Sequence, residues 1–151
     1  MAQLSYNMTM TAGQAGLVAD VSYVKDVASR VAEGEILPGA GVIQGTTAGV
    51  DVKVPTATST KFEGVALLTV LEQVDGVAKY QDKETAAVIR KGKVWVQVTE
   101  AVAYGDAAYL QFDATNKGKF SKTTGADNFA VTGAKFLTAT SGAGLAVLEL
   151  A

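Results

Sequence analysis

Thr85-Ala86-Ala87-Val88-Ile89-Arg90-Lys91-Gly92-Lys93-Val94-Trp95-Val96-Gln97-Val98-Thr99 is the stretch on which the fold turns. Val94, Val96 and Val98 share one side of an extended chain, and Trp95, Gln97 and Thr99 share the other. That two-residue period belongs to a strand with one apolar face. Valine at alternate positions strengthens the reading, because its branched side chain loses rotamer freedom in a helix and fits a pleated surface. Thr85 to Arg90 is strand-like as well, so Lys91-Gly92 between the two segments predicts a hairpin turn.

The same punctuation continues downstream. Tyr104-Gly105-Asp106 marks a turn before Ala107 to Phe112. Asp113-Ala114-Thr115-Asn116-Lys117-Gly118 then predicts a hairpin connection to Lys119-Phe120-Ser121. Lys135 to Thr140 and Leu145 to Leu150 form a last predicted pair around Ser141-Gly142-Ala143-Gly144. Upstream, Phe62 to Leu71 is too apolar for a half-exposed strand, which predicts burial on both faces at the centre of the core, with Gly64 allowing a bend or bulge. Val50, Val52 and Val54 alternate with Asp51 and Lys53 as in a strand with one wet face, and Pro55 ends it. Glu33-Gly34-Glu35-Ile36-Leu37-Pro38-Gly39-Ala40-Gly41 reads as a corner, and Leu17 to Ala32, rich in valine, as extended chain.

About ten short extended segments separated by turn residues predict an all-β fold: an antiparallel β-barrel or a jelly-roll-like sandwich with an extended N-terminal arm. The expected organisation is an arm over residues 1–16 and a single β domain over 17–151, with no internal repeat. Leu4, Tyr6, Met8 and Met10 would share a face of the arm if it is extended, and such a face must pack on its own domain or on a neighbour.

Composition limits the chemistry. The 151 residues include no histidine and no cysteine, so the common proton shuttle, the thiol nucleophile and the soft metal ligands are missing. Hydrophobic residues make up 48% and charged residues 19%, the balance of an ordered globular chain that needs no disulfides. Thirteen basic and fifteen acidic residues leave a net charge of -2 without a concentrated basic patch, which argues against nucleic-acid binding. The densest cluster, Arg90, Lys91 and Lys93, reads as a solvated turn with edge lysines. No stretch approaches the ~20 apolar residues of a membrane helix, and Met1 to Tyr6 lacks a basic region followed by an apolar one. A chain made in the cytoplasm, with no membrane partner, is expected.

Local motifs add little reactive chemistry. Glu33 and Glu35 would point the same way on an extended segment, yet solvation in a Pro/Gly corner explains them better than paired acid catalysis. Asp113 to Gly118 puts Lys117 where a calcium loop needs a ligand, so a turn is expected and no metal site. The glycines at 39, 41 and 45 have the wrong spacing for a dinucleotide loop, and Asn7-Met8-Thr9 is a coincidental glycosylation pattern. Trp95 could stack a sugar or anchor a partner, but packing in a barrel wall is the favoured reading.

Five blocks in order carry a family resemblance. The run Val27-Ala28-Ser29-Arg30-Val31-Ala32-Glu33-Gly34-Glu35-Ile36-Leu37-Pro38-Gly39-Ala40-Gly41-Val42 is similar to the opening of the structural cement, or head decoration, proteins of tailed bacteriophages. Phe62-Glu63-Gly64-Val65-Ala66-Leu67, Arg90-Lys91-Gly92-Lys93-Val94-Trp95-Val96 with Thr99-Glu100, Gly105-Asp106-Ala107-Ala108-Tyr109-Leu110 and Gly144-Leu145-Ala146-Val147-Leu148-Glu149-Leu150 follow as in that family. The resemblance implies a non-enzymatic β protein without cofactors, placed on the outer capsid surface of the virion. Its implied partners are the phage major capsid protein, whose subunits it would bridge on the expanded head, and itself as homodimer or homotrimer. Tyr6, Met8, Met10 and Trp95 are the candidate capsid or oligomer contacts. A carbohydrate-binding or adhesin-like β module and a phage tail-tube or fibre subunit are the alternatives.

Overall fold

The computed structural model describes residues 13–20, 26–57, 60–69, 73–74 and 76–151. Among these residues there is no helix, and eleven strands follow one another. They are β1 (Asp26–Ala32), β2 (Gly41–Gln44), β3 (Asp51–Lys53), β4 (Phe62–Ala66), β5 (Gln73–Val74), β6 (Val77–Ala78), β7 (Thr85–Val98), β8 (Ala107–Gln111), β9 (Phe120–Ser121), β10 (Asn128–Phe136) and β11 (Gly144–Leu150). The all-β expectation holds, and of the two architectures anticipated the closed barrel is the one formed.

The hairpin expected at Lys91-Gly92 is not there: Thr85 to Val98 is one 14-residue strand. The local irregularity that resembles a turn is a β-bulge. Val27 of β1 faces Ile89, whereas its neighbour Asp26 faces Lys91, so Arg90 is an extra residue against β1. Gly92, with φ at 144°, follows directly and is buried. The inserted residue also shifts the side-chain alternation. Ile89 faces the larger core before the bulge, and Val94, Val96 and Val98 face it afterwards, a change from odd to even positions.

Pairing around β7 closes two rings that share this strand. Its first half lies between β1 and β4, completing the order β1-β3-β2-β4-β7. Its second half pairs with β11 on one side and meets β9 at Val98 and Phe120 on the other, completing β7-β11-β10-β8-β9. The purely antiparallel expectation fails at two pairs, β1 with β3 and β7 with β9, which are parallel. Parity explains both. Directions cannot alternate all the way round a ring of five strands, so each ring must contain a parallel pair.

The two rings share a wall buried on both sides. Val42, Ala66 and Val88 enter a core with Ala32, Ile36, Val52, Tyr80 and Ala86. Their chain neighbours Ile43, Val65 and Ile89 enter the larger core with Leu110, Phe120, Phe136 and Leu148. This is why the segment beginning at Phe62 lacks strand alternation; residues 70 and 71 of it lie outside the described residues. Gly64 sits in the wall with φ at 155°, and a Cβ there would overlap the Ile89 carbonyl oxygen. Phe62 meets Phe120 edge-on, with ring centroids 6.5 Å apart, and the Tyr80 hydroxyl donates to the Leu67 carbonyl at 2.6 Å.

Other local expectations hold with adjustments. The corner before β2 is held by Gly34 and Gly39, with φ at 87° and 81°. β8 and β9 form the expected antiparallel pair, as do β10 and β11, although β10 begins earlier, at Asn128. β3 is shorter than the valine alternation suggests: Val52 is buried, while Val50 lies in the preceding turn and is exposed. Residues 1–12 and 21–25, including most of the predicted arm, lie outside the described residues.

Candidate functional site

Trp95 projects from the outer face of β7 with Lys93 and Gln97, opposite the even-numbered valines, and it is half-buried. The chain's own N-terminal region partly covers it. A Cβ added at Gly13 would lie 2.5 Å from both Cδ1 and Nε1 of the indole, so glycine is what permits this approach. The following residues pair with the strand itself. Gly16 N–H donates to the Trp95 carbonyl at 2.8 Å, Trp95 N–H to the Leu17 carbonyl at 2.9 Å, and Ala19 N–H to the Lys93 carbonyl at 2.9 Å. Val18 and Val94 form an antiparallel bridge, and Leu68 N–H donates to the Gly16 carbonyl at 2.8 Å. Trp95 thus marks where the chain leading in from residue 12 is fastened to the barrel wall. Tyr6, Met8 and Met10 lie outside the described residues.

The carboxylates singled out from the sequence have structural partners. Glu33 accepts hydrogen bonds from the Thr46 hydroxyl and, at 3.0 Å, from the Thr46 N–H. The Thr46 hydroxyl bond is the main influence holding its pKa below the usual carboxylate value, the opposite of what a general acid needs. Glu35 pairs with Lys79 at 2.9 Å. Asp113 accepts from the backbone N–H groups of Thr115 at 3.0 Å and Asn116 at 2.9 Å, closing the expected turn. Desolvation raises the Asp113 pKa, but these bonds outweigh it and leave it lowered. Among the described residues no group of three acidic side chains is placed to hold a metal ion.

Glu100, just beyond the end of β7, is a carboxylate with three hydrogen bonds. It accepts from Lys122 N–H, Thr123 N–H and the Thr123 hydroxyl, each at 2.9 Å, and so secures the loop after β9. Desolvation pushes its pKa up, and the three bonds together bring it below the ordinary value.

Sequence reading missed one surface. Leu37 is 53% exposed and Val77 is 47% exposed, and both line a hollow of about 310 Å³ with Ala40, Val54, Glu35, Lys79 and Lys117. Val77 belongs to a two-stranded hairpin, β5 with β6, that among the described residues pairs with no other strand. Val74-Asp75-Gly76-Val77 carried the signal, since Asp-Gly between β-branched residues is a two-residue hairpin loop. Leu37 had no comparable signal, because an apolar residue before a Pro-Gly corner reads equally well as core.

Comparison with known proteins bears directly on this chain. Residues 2–151 match the family model described as structural cement protein (E217 gp24/Pam3 gp6). No curated protein matches the chain. Among solved structures, a chain from the capsid of Myoviridae phage XM1 superposes with a TM-score of 0.73 at 20% identity, covering 98% of each chain, which establishes likeness of fold.

Proposed function

The chain belongs to the phage structural cement protein family, and from that premise we propose that it docks on the outer surface of the expanded head and ties adjoining major capsid subunits together. A cement role in the virion follows from membership. The outer location, the preference for the expanded shell, synthesis in the host cytoplasm and assembly as homodimer or homotrimer are the finer parts of the proposal. So is a purely mechanical action, without catalysis and without nucleic-acid or membrane partners. The family match over nearly the whole chain carries it.

The physical reading supports this role. A protein that binds the expanded shell more tightly than the unexpanded one stabilises expansion by mass action, in proportion to its occupancy. Two cores around a common wall make a body suited to bearing load across a seam. Residues 1–16 would act as the arm on the body formed by 17–151, fastened at Trp95 and presenting Tyr6, Met8 and Met10 to the capsid or to a second copy. Trp95 would then act by holding the arm's root. Gly13 against its indole makes it a poor platform for stacking a sugar, which weighs against the carbohydrate-binding alternative.

Co-sedimentation with empty expanded heads and with unexpanded proheads tests the proposal. Saturable binding to expanded heads alone is expected, and equal binding to both, or to neither, would reject it. Deleting residues 2–12 should lower head occupancy while leaving the unfolding transition of the body in place; unchanged occupancy would remove the arm from the account.

A further inference from the structure

Resting on the capsid-docking reading, the Leu37–Val77 hollow adds a specific contact. Its two walls are joined through the backbone. Ile36 N–H donates to the Tyr80 carbonyl at 3.1 Å and Tyr80 N–H to the Ile36 carbonyl at 2.9 Å, so the corner that presents Leu37 is fastened to the chain just after β6. The other wall includes Val77 of β6, which is paired with β5 in a hairpin. An isolated two-stranded hairpin is marginal in water, so one that exposes a valine gains most from a partner packed against it.

Charge around the hollow names the partner's chemistry. Lys79 and Lys117 line it, and a second hollow that shares Leu37, Ala40 and Lys117 adds Lys119. Among the described residues, Glu35 is the one acidic side chain lining either hollow, and Lys79 already pairs with it at 2.9 Å. Among the described residues, no carboxylate forms an ion pair with Lys117 or Lys119. This patch is basic on a chain whose net charge is -2. The chain's own residues 1–12 contain no Asp or Glu and do not complement it. We propose that the hollow seats an acidic segment of the major capsid protein, with an apolar side chain between Leu37 and Val77 and carboxylates at Lys117 and Lys119.

The test is quantitative co-sedimentation of the full-length protein with expanded heads assembled from the capsid protein of the same phage, across a salt series. Leu37→Asp and Val77→Asp should each weaken docking by at least about tenfold, the scale of a buried interface anchor. Lys117→Gln with Lys119→Gln should weaken it at low salt and flatten the salt dependence, since screened attraction is what those charges supply. Leu37→Met should dock like the parent. Tyr104→Ser, at a side chain that is 75% exposed and lines neither hollow, should also be neutral. Unchanged thermal unfolding of each variant would show that the fold is intact.

Parent-like docking of all the hollow variants, with the parent itself binding heads, would overturn this contact and leave the cement reading standing. A parent that binds no heads would overturn both. If Leu37→Asp alters self-association of the free protein and leaves docking unchanged, the occupant is a second copy and the proposal fails. It fails too if the loss in Leu37→Asp disappears in a Met8→Ser, Met10→Ser background, which would assign the hollow to the chain's own arm.

Discussion

Gly64 illustrates how closely single residues are fitted into the shared wall. Its φ of 155° is one that side chains avoid, and the Ile89 carbonyl occupies the space a Cβ would need. Gly64→Ala should therefore cost about 3 kcal/mol, combining backbone strain with overpacking, and should lower the urea midpoint without changing the slope. A loss within experimental error would show that the wall yields there. Glu100 works through charge. Because its pKa is lowered in the fold, the folded state binds fewer protons than the unfolded one through the carboxylate range. The stabilisation is complete above the unfolded pKa and disappears as pH falls through the folded one. Glu100→Gln should thus lower the melting temperature most near neutral pH, and the gap from the parent should narrow towards pH 3. A gap independent of pH would mean that the hydroxyl and amide contacts tolerate a neutral partner.

At the scale of the element, β7 shows what one chain carries and hides. The valine alternation from Val94 to Val98 was legible because one face is core and the other is not. The continuity of the strand was not legible, since Arg90-Lys91-Gly92 has the composition of a turn and a bulge uses the same residues. A subtler sign lay in the adjacent buried pairs Val42-Ile43, Val65-Ala66 and Val88-Ile89: successive residues both inside mean a wall with a core on each side. The same local ambiguity concealed the parallel pairs, which ring closure imposes and no short segment records. Deleting Arg90 should be far worse than replacing it. Arg90→Ala removes an exposed ion pair with Asp26 at 3.3 Å and should cost less than about 1 kcal/mol. Removing the residue puts the two halves of β7 out of phase, so soluble, cooperatively unfolding protein should be lost; a well-folded deletion variant would contradict the role given to the bulge.

For the whole molecule, the candidate site was less legible than the fold. Trp95 stood out in sequence as the single tryptophan, yet its surroundings include Gly13 and Gly16, about eighty residues away along the chain. The hollow at Leu37 and Val77 is assembled from a corner and a hairpin that are both unremarkable alone. What the sequence did carry, through five ordered blocks, was membership of the structural cement family. A cement role has a mechanical consequence. The deciding measurement is the disruption temperature of expanded heads lacking this protein, followed as purified protein is added back. The account predicts a saturable rise that levels off when the docking sites are full. Heads that bind the protein to saturation and still come apart at the same temperature would contradict it.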